Sequence, residues 1–204
     1  MFKNQFNCRL LNSDKFSSFE MQLIKGGTVN TLLIALVYRQ PKINRDFIPE
    51  FADFLSNTMP NFDHILILGN LNIHVCCPSK PLVSEIMHLI ESFNLTQFTT
   101  GPTHKLGHTL DLVLSCGFPI FNMEIIDACL SDHSAVLLDS FLSFLPTNFH
   151  LPVCCSHYLN SSTADKFSLA LIAAPNTCTI EASPSHLSTI LHHLFFYFRL
   201  NCPP

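Results

Sequence analysis

The sequence predicts an α/β domain built on a buried sheet, and three observations predict it. Residues 31–38 (TLLIALVY) and 64–68 (HILIL) are short, continuously apolar runs rich in β-formers, as expected of strands buried on both faces. Residues 45–58 and 81–93 switch to helical spacing. Strands that alternate with helices in this way call for a sheet covered by helices.

Taken in order, residues 16–24 (FSSFEMQLI) alternate in part and form a first strand, closed by the turn signal Gly26-Gly27. The run 31–38 is the second strand and Pro41 ends it. In 45–58, Phe47, Ile48, Phe51, Phe54 and Leu55 make one helical stripe, with Asn44 as its N-cap and Met59-Pro60-Asn61 as its stop. The strand 64–68 ends at Gly69. A second helix, 81–93, carries Leu82, Ile86, Leu89, Ile90 and Phe93 on one side, with Ser79 or Ser84 at its start. After the turn Thr100-Gly101-Pro102, strands follow at 109–115, 121–127 and 135–138.

Beyond about residue 140 the pattern weakens. Pro146, Pro152, Pro175, Pro184 and Pro203-Pro204 interrupt any long element. Asn160 to Thr163 caps a short helix at 164–173, and 187–200 has helical apolar spacing despite its β-favouring aromatics. The division is therefore a folded domain at 1–140 and a weakly structured C-terminal appendage at 141–204.

Composition narrows the function. Of 204 residues 48% are hydrophobic and 13% charged, well below the roughly one quarter typical of soluble domains. The net charge is −4, and the 11 Lys and Arg form no dense run, which argues against a tight stand-alone DNA binder. Cysteines stand at 8, 76, 77, 116, 129, 154, 155, 178 and 202, with no CxxC pair. Together with a start that lacks a signal-peptide core, this predicts free thiols in an intracellular, reducing compartment. No apolar run approaches the ~20 residues of a membrane span. Gly-rich phosphate loops, nucleophile elbows and kinase signatures are absent from the sequence.

Polar residues gather at the ends of three expected strands. Asp111 is an acid inside an apolar strand, and a buried carboxylate needs a partner. A histidine is the natural one, since a carboxylate fixes its tautomer and raises its basicity, and His133 is the candidate. Asp132 beside it is either a metal ligand, a base or a loop residue. Asn70 and Asn72 form either an Asn-rich turn or a pair of amides facing a phosphate or metal-bound water. His104 and His108 have zinc-like spacing, but Pro102 and Gly107 oppose a helix and no third ligand stands out. His74 beside Cys76-Cys77 has ligand types without a closing set, His192-His193 read as incidental, and Glu20 decorates a sheet face.

The succession Tyr38-Arg39-x-Pro41, then ILILG with Asn72-Ile73-His74, then Gly107-His108-Thr109-Leu110-Asp111, then Ser131-Asp132-His133 resembles the endonuclease/exonuclease/phosphatase family. The nearest resemblance is to endonuclease domains of LINE-type retrotransposons, over residues 16–138. It implies a two-sheet β-sandwich flanked by helices and Mg²⁺-dependent hydrolysis of a DNA phosphodiester. It also implies Tyr38 as the active-site tyrosine, Asn72 near the scissile phosphate, Asp111 as the acid that orients His133, His133 as phosphate contact or base, and Asp132 near the metal.

Two departures bear on activity. Where the family has Gly-Asp-x-Asn, this chain has Gly69-Asn70-Leu71-Asn72, and an amide cannot take up a proton as the carboxylate does. The N-terminal strands of the family, with their metal-binding glutamate, have no counterpart ahead of Phe19-Glu20. The expectation is a degenerate, inactive endonuclease fragment. Its alternatives are a residually active phosphodiesterase or a non-catalytic binding module, and a nuclear address follows from the resemblance only.

Overall fold

The computed structural model describes residues 8–12, 15–27, 30–42, 45–127, 129, 131–141 and 196–201. Its first sheet is built from β1 (Cys8–Leu11), β2 (Glu20–Gly26), β3 (Leu32–Tyr38), β4 (His64–Asn70), β5 (Thr96–Gln97) and β6 (Asp111–Cys116), in the order β1-β2-β3-β4-β6-β5. A second sheet contains β7 (Ile120–Ile126), β8 (Ala135–Phe141) and β9 (Phe196–Asn201). Two helices, α1 (Phe47–Thr58) and α2 (Pro81–Ser92), complete the α/β, two-sheet architecture that the alternation and the resemblance predict.

The centre of the first sheet follows from the apolar runs. β3 and β4 pair in parallel from Leu32–His64 to Tyr38–Asn70, with α1 as the crossover between them. Leu33, Ala35 and Val37 of β3, Ile65 and Ile67 of β4, and Leu112 and Leu114 of β6 form one face. That face joins a single core with Phe47, Phe51, Phe54 and Leu55 of α1 and Val83, Ile86 and Ile90 of α2. Phe19 stands edge-on to Phe47 and to Phe51, each at 5.8 Å between ring centres. The alternate residues Leu32, Ile34, Leu36, Leu66, Leu68 and Val113 are buried as well, which is why these strands show no polar face. Each such side chain contributes about 1.5–3 kcal/mol when fully buried.

Two local features bear on what lies at the end of this sheet. A Cβ on Gly69 would sit 2.4 Å from the Val37 carbonyl oxygen, so only glycine lets β4 lie this close to β3 there. Glu50, in the first turn of α1, accepts hydrogen bonds from the backbone N–H and hydroxyl of both Ser17 and Ser18. Partial burial opposes ionisation of Glu50, but the Ser18 and Ser17 donors outweigh it and hold its pKa at about 2.

Several expected boundaries shift. The first strand starts at Glu20 rather than 16, and β4 and β6 run on to Asn70 and Cys116. Neither helix uses a side-chain N-cap: Asp46 and Lys80 hold those positions, Asn44 lies outside the described residues, and Ser79 and Ser84 do not cap α2. Pro81 at the first helical position removes one donor that a cap would serve. Strand β1 was not expected. It pairs antiparallel with β2 at the sheet edge, where a short stretch needs no buried apolar face.

The expected end of the last strand also moves, from 138 to Phe141, and part of the helical reading of 187–200 is corrected. Phe196–Asn201 is a strand, parallel to β8 and paired from Val136–Phe196 to Phe141–Asn201. Its aromatic, β-favouring residues find a ladder partner, and tertiary pairing overrides the helical spacing. The helix expected at 164–173 and its cap lie outside the described residues. Among the described residues no helix is long and apolar enough to cross a membrane.

Candidate active site

The mouth of the first sheet collects the polar residues. Register places Glu20 opposite Tyr38, Tyr38 opposite Asn70, and Asn70 opposite Asp111, in one row across four strands. Directly paired residues point to the same face of a sheet. This row shares the face of Leu36 and Leu68, away from α1 and α2. Tyr38, Asn70 and Asp111 are 6%, 2% and 2% exposed, so the row lies at the floor of the site.

Asp111 meets His133 here. His133 Nδ1 lies 2.7 Å from Asp111 Oδ2, and both groups are buried. Burial raises the Asp111 pKa against the pull of the His133 hydrogen bond and charge and of the Thr103 hydroxyl. Burial would lower that of His133, but the Asp111 hydrogen bond and the charges of Asp111 and Asp132 raise it. On each group burial and the partner act in opposite senses, and the net shift is upward for both.

The loop at 103–109 sets this pair in place. Thr103 Oγ1 accepts the backbone N–H groups of Leu110 and Asp111, each at 3.0 Å, at the start of β6. Ser134 N–H donates to the Thr103 carbonyl at 2.8 Å, and His104 and His133 form an isolated antiparallel bridge. The same bridge brings the His104 ring to 4.8 Å from that of His133, edge-on. His104 Nδ1 accepts the Leu106 N–H at 3.1 Å, so in the neutral ring the proton sits on Nε2. That nitrogen faces Asp132 Oδ2 at 3.3 Å. Partial burial opposes ionisation of Asp132, but its own backbone N–H, His133 and His104 keep its pKa below the usual carboxylate value.

Asn70 and Asn72 are largely engaged in shaping the loop. Asn70 Oδ1 accepts the Asn72 N–H at 2.9 Å, an Asx turn. Asn72 takes a left-handed conformation with φ of 49°, which asparagine tolerates. Its amide nitrogen donates to the Arg39 carbonyl at 2.6 Å. Arg39, 3% exposed, donates in turn to the carbonyls of Leu71 and Lys42 and lies over the Phe47 ring. The tyrosine beside it, Tyr38, has its pKa raised by burial and then by the Glu20 carboxylate.

All six residues singled out in the sequence, Tyr38, Asn70, Asn72, Asp111, Asp132 and His133, thus reach one mouth. The sequence reading missed His104, Thr103 and Arg39 as parts of it, and placed Glu20 only on a sheet face. His104, Asp132 and His133 offer donor atoms within 4.8 Å of one another, a possible metal group. A hard ion such as Mg²⁺ fits this set through Asp132 alone, with waters and a substrate phosphate completing its shell. The imidazoles suit Mn²⁺ or another borderline ion better, and His104 Nε2 would first have to give up its proton to Nδ1.

No protein-family model matches the sequence, and no curated protein matches it. Among solved structures, the human Nocturnin catalytic domain with bound sulfate is similar at 16% identity and a TM-score of 0.41, over 63% of this chain and 52% of that one. NExo, a 3′ phosphatase from Neisseria bound to a product DNA hairpin, is similar at 11% identity and a TM-score of 0.40, over 63% of this chain and 77% of that one. The chain therefore spans about half the length of the Nocturnin domain it resembles.

Proposed function

We propose that the mouth of the first sheet is a phosphodiester-hydrolysis site of the endonuclease/exonuclease/phosphatase kind, with DNA as its ancestral substrate, in which the proton-accepting carboxylate has been lost. The buried Asp111–His133 pair carries this reading. A buried acid that orients a histidine and stabilises its charge is the arrangement by which active sites set a general acid or base. With Nδ1 held by Asp111, Nε2 is the nitrogen through which His133 exchanges a proton or contacts a phosphate oxygen. A divalent ion, Mg²⁺ by resemblance to the family, would supply neutralisation of the phosphate charge when bound at Asp132.

Asn70 explains the low activity expected. Its Oδ1 is committed to the Asx turn and its amide is neutral, so it can take no proton from an attacking water. Loss of one general base lowers a rate by about 10²–10⁴-fold. A degenerate endonuclease of the LINE-type retrotransposon kind accounts for the preserved pair and the missing base together.

The test is nicking of supercoiled plasmid with Mg²⁺ or Mn²⁺, using the chain, Asn70→Asp, and both in a His133→Ala background. The expected result is no nicking by the native chain and metal-dependent nicking by Asn70→Asp that His133→Ala abolishes. Robust nicking by the native chain, lost in His133→Ala, would replace the degenerate reading with an active phosphodiesterase. An inert but folded Asn70→Asp would overturn the assignment of the lost activity to Asn70. Salt-dependent DNA association without metal would then leave a binding module.

A further inference from the structure

Beside the active site, and independent of its chemistry, the fold brings together residues that lie far apart in the chain. Cys76 and Cys77 sit in the loop between β4 and α2, and His108 in the loop before β6. Cys76 Sγ lies 3.7 Å from His108 Nδ1 and 3.9 Å from Cys77 Sγ. All three donor atoms are within 4.8 Å of one another. His74 completes the surroundings, with its ring edge-on to that of His108 at 4.3 Å between centres. His74 Nδ1 is buried and has no hydrogen-bond partner among the described residues.

These distances have a chemical meaning. In tetrahedral zinc sites, Zn–S is ~2.3 Å and Zn–N ~2.0–2.1 Å, so the ligand atoms stand roughly 3.5–3.8 Å apart. The separations of 3.7 and 3.9 Å are close to two edges of such a tetrahedron, and the third, Cys77 to His108, lies within 4.8 Å. Two sulfurs and an imidazole are soft and borderline donors, which select zinc-like ions over Mg²⁺. A buried imidazole nitrogen without a partner otherwise costs stability, and a metal ion would satisfy it.

We propose that Cys76, Cys77 and His108 form a thiophilic metal site for Zn²⁺ or a similar ion, with His74 against it as a fourth ligand or support. Binding converts the two thiols to metal-bound thiolates and releases their two protons. The ion bridges the 71–80 and 98–110 loops, which also carry Asn72, Thr103 and His104. The site is therefore a staple for the walls of the active site, and its chemistry is distinct from the oxygen-rich binding of a catalytic Mg²⁺.

The test uses the full chain, stripped of metal under reducing conditions and titrated with Co²⁺. The expected result is a thiolate-to-cobalt charge-transfer band that saturates at one equivalent and that Zn²⁺ displaces. Paired Cys76→Ser and Cys77→Ser, or His108→Ala, should lose the band, while paired Cys154→Ser and Cys155→Ser should keep it. His74→Ala should weaken binding by about tenfold to a hundredfold. A folded chain that gives no such band overturns the proposal, as does a band that survives removal of Cys76 and Cys77. Alkylation of the native chain supplies a readout that needs no variant. Zn²⁺ should slow modification of Cys76 and Cys77 by at least about tenfold and leave Cys129 unchanged. Equal rates with and without Zn²⁺ also overturn it.

Discussion

Asn70 stands opposite Asp111 in the β4–β6 ladder and spends its side-chain oxygen on the backbone N–H of Asn72. An aspartate at 70 can make the same turn, so Asn70→Asp should keep the fold. It would also place a second carboxylate on the same buried face as Asp111, where like charges oppose each other. The expected outcome is a metal-free variant less stable than the parent by about 1–3 kcal/mol at neutral pH. A divalent ion should recover part of that loss. Urea unfolding with and without Mn²⁺ checks both halves, and a metal-insensitive variant would show that no ion binds near 70.

Removing the acid from the pair tests it from the other side. Asp111→Asn should lower the His133 midpoint, because burial then acts without the hydrogen bond and charge that now outweigh it. A raised folded pKa stabilises below the unfolded value of about 6.5 and loses that contribution as pH rises through the folded value. The stability gap between parent and Asp111→Asn should accordingly be widest below about pH 6.5 and narrow in alkali. A His133 imidazole titration by NMR, with unfolding curves across pH, measures both. An unmoved midpoint would mean that Asp111 does not set the His133 titration.

Glu50 makes the opposite prediction for acid. Its pKa of about 2 lies below the ordinary glutamate value of 4.5, so its contribution is complete above 4.5 and fades as pH falls toward 2. Glu50→Gln should cost about 1 kcal/mol at neutral pH, discounted for its partial exposure, and the difference should vanish in acid. Thermal unfolding between pH 2 and 7 follows this window. A constant difference across it would assign the loss to packing rather than charge.

How far the sequence revealed these features depends on whether their cause was local. The runs at 31–38 and 64–68 and the stripes of α1 and α2 report burial directly, because periodicity is a record of which faces meet the core. The Asp111–His133 pair was legible because an acid in an apolar strand has few tolerable explanations. His104 and the Cys76–His108 contact were not, since nothing at either position predicts the other. Their meeting depends on how two loops fold over the sheet mouth. Strand β9 was hidden for the same reason, its partner β8 lying far upstream.

That last pairing has a kinetic side. Val136 is joined to Phe196 in parallel, and a parallel ladder over so long a separation must close a large loop before it gains any contact. The hairpin of β2 and β3 and the β3-α1-β4 unit need no such closure, so the second sheet should acquire its third strand last. Until it does, β8 presents an open ladder edge beside β7, and nascent chains interrupted ahead of residue 196 would carry that edge permanently. Such species would be expected to associate through β8.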